Sequence, residues 1–340
     1  MPDLLELLAH RPIVCAEGYL FECERRGYLQ AGAFVPEVVL DHPEVVDELH
    51  REFVHAGSDV VEAFTYYGHR EKLRVIGKED ILEPLNRQAL SIAAAVARET
   101  GTLLAGNICN TNVYEPGGSA EQAVRSAFTE QVAWAAEAGV DFVIAETFSW
   151  VGEAMLALDA IRAAGLPAVV TFALHRDGNM REGMTPEAAC WQAEQAGAAV
   201  VGLNCIRGPA TMLPLLAPIR TAVSCPVAAL PVPYRTTAAQ PSMQALTDPA
   251  RGGQQAFPTG LDPFTCTRDE LGEFATEALG LGVRYLGVCC GAGPHHIRAV
   301  AEATGMTPPA SRYSPDMSRH SFLGSAPGIG TTYREYAPNL

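Results

Sequence analysis

Short apolar, β-branched runs recur along the chain at 13–17, 59–64, 102–107, 141–146, 168–172, 199–204, 227–230 and 284–289, and each reads as a buried strand. Between them, apolar positions return every three to four residues over 42–56, 86–99, 120–138, 150–163, 185–196, 210–221 and 268–281, with a last such stretch at 294–303. Eight strands alternating with eight helices predict an α/β protein built as a (β/α)8 TIM barrel. Several helices end on a glycine, at Gly57, Gly139, Gly165, Gly197 and Gly282, where a left-handed cap turns the chain into the next strand. An open doubly wound sheet competes, but no GxGxxG follows the first run and no second domain is evident. The expected organisation is one barrel over 1–305 followed by a C-terminal tail, 306–340.

A barrel of this kind carries its chemistry at the C-terminal ends of its strands. The residues closing the runs are Glu17, Phe64-Thr65, Asn107, Glu146, Thr171, Asn204-Cys205, Pro231 and Cys289-Cys290. Three thiols and two carboxylates therefore converge on one mouth. From spacing alone, Cys205, Cys289 and Cys290 fit either small buried apolar residues or a metal site, because Cys-Cys is not a zinc-finger spacing. Convergence with acids favours the metal. Three ligands without a CxxC or HxxxH partner suit a catalytic Zn2+ that keeps one open position.

Composition narrows the partners. The formal net charge is −15, with 48% hydrophobic and 19% charged residues, and no Lys/Arg cluster is present to neutralise phosphates. Nucleic acid and anionic membrane surfaces are disfavoured, and a small-molecule substrate is expected. The start, MPDLLELLAHRPIV, lacks a basic segment followed by an apolar one, and no long uninterrupted apolar stretch occurs, so a soluble, cytoplasmic protein is expected. Nine cysteines, an odd number, argue for reduced thiols over a disulfide framework.

Ordered motifs from about residue 10 to 305 carry a family resemblance: Arg26-Gly27-Tyr28, His42-Pro43-Glu44, Leu49-His50-Arg51-Glu52-Phe53, Phe64-Thr65-Tyr66-Tyr67, Ile144-Ala145-Glu146, Gly202-Leu203-Asn204-Cys205, Gly260-Leu261-Asp262-Pro263 and Cys289-Cys290-Gly291. The chain resembles the homocysteine S-methyltransferases, most closely the betaine type. That resemblance implies Zn2+ held by Cys205, Cys289 and Cys290, and methyl transfer from an onium donor to L-homocysteine. It assigns Glu17, at a position usually Asp, and Glu146 to the homocysteine amino group, and Tyr67 to the neighbourhood of the metal. Backbone amides around Gly18 would receive the amino-acid carboxylate. A methyl-bearing cation is best held against aromatic faces, which points to Phe34, Tyr66 and Tyr67, with Thr65, Asn107 and Thr147 completing the substrate-binding set.

Two positions depart from the betaine pattern: Phe34 stands where Trp is expected, and Thr147 where Tyr is expected. Phe148 and Trp150 are the candidates to compensate, each equally suited to packing on the following helix. Glycine betaine is the favoured donor, with S-methylmethionine, dimethylsulfoniopropionate or another betaine as alternatives; a zinc-binding thiol sensor is the non-enzymatic alternative. The polar loop NICNTNVY (107–114) lines the mouth or forms a structural turn. A lid carrying Tyr234 is expected from the long Pro/Gly-rich excursion 231–263. His295-His296 suits helix capping. The aromatic-bearing tail leaves a homo-oligomer open.

Overall fold

The computed structural model describes residues 3–340. Eight parallel strands, β1 (Ile13–Ala16), β2 (Val60–Glu62), β3 (Leu103–Cys109), β4 (Phe142–Phe148), β5 (Ala168–Phe172), β6 (Val200–Asn204), β7 (Val227–Leu230) and β8 (Val283–Val288), close into a barrel. β1 pairs with both β2 and β8, which completes the circle. Helices at Pro43–Ala56, Leu82–Thr100, Glu121–Glu137, Val151–Ala163, Pro186–Gln195, Pro209–Ala222, Arg268–Gly280 and Pro294–Ala303 cover the outside. All eight predicted strands and all eight predicted helices are present, with shifts of a few residues at their ends. Gly57 ends the first of these helices at φ 113°, its N–H bonded to the carbonyls of Phe53 and Val54.

Both faces of each strand are covered, so the strands read as continuous apolar runs without visible alternation. The alternation still operates. Ile13, Cys15, Val60, Leu103, Ala105, Phe142, Ile144, Val169 and Val200 point into the barrel and pack together, whereas Val14, Ala16, Val61, Leu104, Val143, Val170 and Val201 pack against the helices. A short N-terminal helix, Leu4–His10, closes the bottom of the barrel by adding Leu4 and Leu8 to the interior cluster. A capping box between Asp3 and Glu6 starts that helix. It was not among the predicted elements, because seven residues carry too little periodicity to register.

Period two then fixes the layer above this apolar floor. Counting on two residues from Cys15, Val60, Ala105, Ile144 and Val169 brings Glu17, Glu62, Asn107, Glu146 and Thr171 into one inward-facing polar layer, and Asn204, two such steps beyond Val200, joins them. All six are buried. The polar top of the barrel is thus a direct consequence of strand register.

After the last barrel helix the chain forms short turns, Pro309–Tyr313 and Met317–Arg319, and a helix, Thr331–Tyr336. Ser311 and Arg298 both bond to Glu302, tying the first part of this segment to the barrel. Among the described residues no helix is long and apolar enough to cross a membrane.

Candidate active site

Two side-chain amides organise the polar layer. Asn107 donates from Nδ2 to Glu146 Oε1 at 2.6 Å and also to Glu62. Asn204 shares its Nδ2 among Glu146 Oε2 at 2.6 Å, Glu17 Oε2 at 3.2 Å and Thr147 Oγ1 at 3.0 Å. The Asn204 orientation is fixed because its Oδ1 accepts the Thr147 N–H at 3.0 Å, which turns the NH2 group toward the acids. Burial raises the pKa of all three carboxyls: Glu146 is pushed up to about 7, while Glu17 and Glu62 go well above the ordinary range, raised further by Glu146.

These acids surround a narrow inner cavity, lined also by Tyr19, Phe64, Tyr66, Cys289 and Cys290. Glu17 Oε1, Glu62 Oε2, Asn107 Oδ1 and Thr171 Oγ1 are buried polar atoms of this layer with no protein partner. Such atoms cost about 1–3 kcal/mol each when left unpaired, so the layer is built to receive a polar ligand. A cation bound among them would draw these raised carboxyls back toward their charged form.

The three predicted thiols meet at the rim. The sulfurs of Cys205, Cys289 and Cys290 all lie within 4.8 Å of one another, although Cys205 follows β6 and the pair follows β8. Cys289 and Cys290 hydrogen-bond to the Cys205 sulfur and hold its pKa well below the usual thiol value. The thiols of Cys289, chiefly through burial, and Cys290, chiefly through Cys205, are raised. A trio that stabilises thiolate character, with one side open, suits a thiophilic divalent ion.

The loop holding the pair is tightly specified. Gly291 has φ 94°, and a Cβ there would meet Tyr234 Oη at 2.2 Å. Arg25 donates to the Gly291 carbonyl at 3.0 Å and to Tyr234 Oη at 2.8 Å. Tyr234 is therefore packed beneath the cysteine loop and fully buried, which corrects its placement on a lid. The excursion that carries it contributes wall instead: Met243, Gln244 and Phe257 line an outer cavity.

That outer cavity, about 980 Å³ including its open mouth, meets the inner one at Leu20, Tyr66 and Cys290. Phe34, Tyr67, Thr147, Trp150 and Cys205 line it, as do Asn110, Asn112 and Tyr114 from the polar loop after β3. Six non-glycine residues among those described have left-handed backbone: Phe34, Tyr67, Asn112, Thr147, Cys205 and Ile206. All six line this cavity. Each such conformation costs about 1–3 kcal/mol, and strain gathered in one cavity marks a functional surface.

Other candidates fall elsewhere. Thr65 lines neither cavity; its hydroxyl donates to the Asn107 carbonyl at 2.7 Å and holds β3 in place. Gly18 lines neither and packs so closely on Ala292 that a Cβ would lie 2.2 Å from its carbonyl oxygen. Phe148 is fully buried, edge-on to Phe128 at 5.9 Å, whereas Trp150 faces the cavity. One face of Tyr67 is occupied by the Lys72 ammonium, 4.1 Å from the ring centre. His296 caps its helix by accepting the Gly293 N–H at 3.1 Å.

Glu62 and Asn204 escaped the sequence reading as ligand-facing groups. Glu62 lay inside the apolar run 59–64 and not at its end, yet a carboxylate between Val61 and Ala63 on the parity of Val60 was a usable signal. Asn204 was seen only as the neighbour of Cys205.

Residues 20–304 match the family model described as homocysteine S-methyltransferase. Betaine–homocysteine S-methyltransferase 1 of Rattus norvegicus is 36% identical over 352 residues, spanning 99% of this chain and 84% of the relative. S-methylmethionine–homocysteine S-methyltransferase BHMT2 of Mus musculus is 34% identical over 356 residues, spanning 99% and 92%. The metallated form of the homocysteine methyltransferase MmuM from Escherichia coli superposes with a TM-score of 0.67 at 18% identity, over 87% of this chain and 97% of that one, which establishes a shared fold. With the barrel, the acid layer and the three rim thiols in place, these matches make the chain a member of the homocysteine S-methyltransferase family.

Proposed function

We propose that the protein is a zinc-dependent methyltransferase that moves a methyl group from a betaine-like onium compound to L-homocysteine, giving methionine and the demethylated donor. The observation that carries this reading is the placement of three thiols where an acid-lined inner cavity meets an aromatic outer one. Cys205, Cys289 and Cys290 would hold the zinc: their mutual separation of no more than 4.8 Å is compatible with the ~3.8 Å between sulfurs around a tetrahedral ion with ~2.3 Å bonds. Bound zinc supplies Lewis acidity, which lowers the pKa of a substrate thiol so that its sulfur is nucleophilic at neutral pH.

The chain's own residues do the rest. Glu17, Glu62 and Glu146 receive the homocysteine ammonium, and Asn107 and Asn204 keep the carboxylates aimed inward. Phe34 and Tyr66 present aromatic surface to the onium group, a contact worth about 2 kcal/mol when desolvated. In the transfer, the sulfur lone pair forms the new S–CH3 bond while the electrons of the breaking bond return to the donor nitrogen or sulfur. Opposite charges disappear together, so a site that excludes water accelerates the step by removing solvation from the reactants more than from the transition state. The side chains thus orient two reactants across the thiols, and proximity supplies much of the acceleration.

Glycine betaine is the favoured donor. S-methylmethionine is the second reading, because Phe34 and Thr147 stand where the betaine pattern has larger aromatics and because relatives are named for each donor. A thiol sensor has no use for three buried carboxylates beside the sulfurs. The test is an endpoint assay with zinc-loaded protein, homocysteine and methyl-deuterated donors. Methionine carrying the label supports the reading; binding of zinc with no labelled methionine from any onium donor would refute it.

A further inference from the structure

We propose that Arg181 is the anchor for a donor carboxylate, so that the outer cavity accepts onium compounds bearing a carboxylate and rejects those without one. The inference rests on the methyl-transfer reading above and concerns the outer cavity, which Arg181 lines together with Cys205 and Cys290.

Arg181 lies in the segment between β5 and the helix Pro186–Gln195. Its guanidinium carbon sits 4.8 Å above the Trp150 ring centre. The segment is strapped to the start of the helix Val151–Ala163: the Arg181 N–H donates to the Ser149 carbonyl at 2.9 Å, and Glu182 accepts the Gly152 N–H at 3.1 Å. Arg181 lines the outer cavity, and among the described residues its guanidinium makes no hydrogen bond, which leaves its N–H groups available to a carboxylate. Among the described residues no carboxylate is within ion-pair distance of it. Glu153, the one acid lining this cavity, is engaged with the backbone N–H of Thr111 at 2.7 Å and with its hydroxyl.

Arg181 is the one permanent cation lining the cavity; the other basic group there, His175, is kept neutral by burial and bonds Ser149 at 3.1 Å. Thiols stand at the inner end. A zwitterion held between them would turn its onium methyl toward the sulfurs and its carboxylate toward Arg181.

Two matched pairs test this: glycine betaine against choline, and dimethylsulfoniopropionate against dimethylpropylsulfonium. Affinities are read by calorimetry and kcat/KM by methionine formation, for the native protein, Arg181→Gln and Arg181→Lys. The expected result is that at least one carboxylated member binds about 10- to 100-fold more tightly than its partner, that Arg181→Gln abolishes the difference without weakening the carboxylate-free member, and that Arg181→Lys keeps part of it. Homocysteine affinity stays unchanged in both variants. Equal binding within both pairs, no binding by either carboxylated compound, or discrimination retained in Arg181→Gln overturns the assignment. Failure of methyl transfer with discrimination intact would refute the proposed reaction and leave the anchor standing.

Discussion

Asn204 holds Glu146 through an Nδ2–Oε2 hydrogen bond of 2.6 Å while its own side-chain carbonyl accepts the Thr147 N–H, so one amide links the acid layer to the strained, irregular end of β4. Asn204→Ala removes the donor from Glu146 and the acceptor from Thr147 together. Two buried groups are left with fewer partners, and urea unfolding should show a loss of about 1–3 kcal/mol. Unchanged stability would mean that the amide does not organise the layer.

Glu62 shares its buried layer with Glu146 and Glu17, which together with burial raise its carboxyl well above the ordinary range. Glu62→Gln preserves shape and the bond from Asn107 but removes mutual repulsion. The variant should be at least as stable as the native protein and should bind homocysteine about 10-fold more weakly, since charged hydrogen bonds to an ammonium are worth roughly 1.5–3 kcal/mol. Calorimetry with homocysteine decides; equal affinity would assign the ammonium to the other two acids.

Most of the fold was legible because each strand of a parallel barrel is an apolar run and each helix has its own period and cap. The thiols and the end-of-strand acids were legible for the same reason: they stand where a run stops. Glu62 was hidden because it precedes the end of its run, and only the parity shared with Val60 reveals that it faces inward. Arg181 was hidden for a different reason. Its role depends on a loop laid across Trp150, a meeting of residues 150 and 181 that no local pattern encodes. Gly18 and Thr65 illustrate the converse, since proximity in sequence to Glu17 and Tyr66 did not bring them to a cavity wall.

Burial pushes the Glu146 carboxyl up to about 7, against about 4.3 for the residue in an unfolded chain. The folded protein keeps this proton where the unfolded chain has lost it. That contribution to stability is complete below about pH 4 and is lost as pH rises through about 7. Melting temperatures of metal-stripped, substrate-free protein should therefore fall between pH 5 and pH 8, and Glu146→Gln should flatten this part of the profile. An identical profile in the variant would show that Glu146 titrates normally.

Gly291 permits the turn that carries the cysteine pair, with φ 94° and Tyr234 Oη where a Cβ would stand. Gly291→Ala strains the turn and the buried Tyr234 packed beneath it, and the variant, checked for native circular dichroism, should release its metal to a chelator at least 10-fold faster than the native protein. A release rate equal to the native one would separate the Tyr234 contact from the metal loop.

The central claim is that Cys205, Cys289 and Cys290 together hold one zinc ion at the junction of the two cavities. Elemental analysis of the purified protein and of Cys205→Ala, Cys289→Ala and Cys290→Ala, each checked for native circular dichroism, tests it most directly. About one equivalent of zinc in the native protein and none in any folded variant is the predicted result. A full equivalent retained by any one of the three would contradict it.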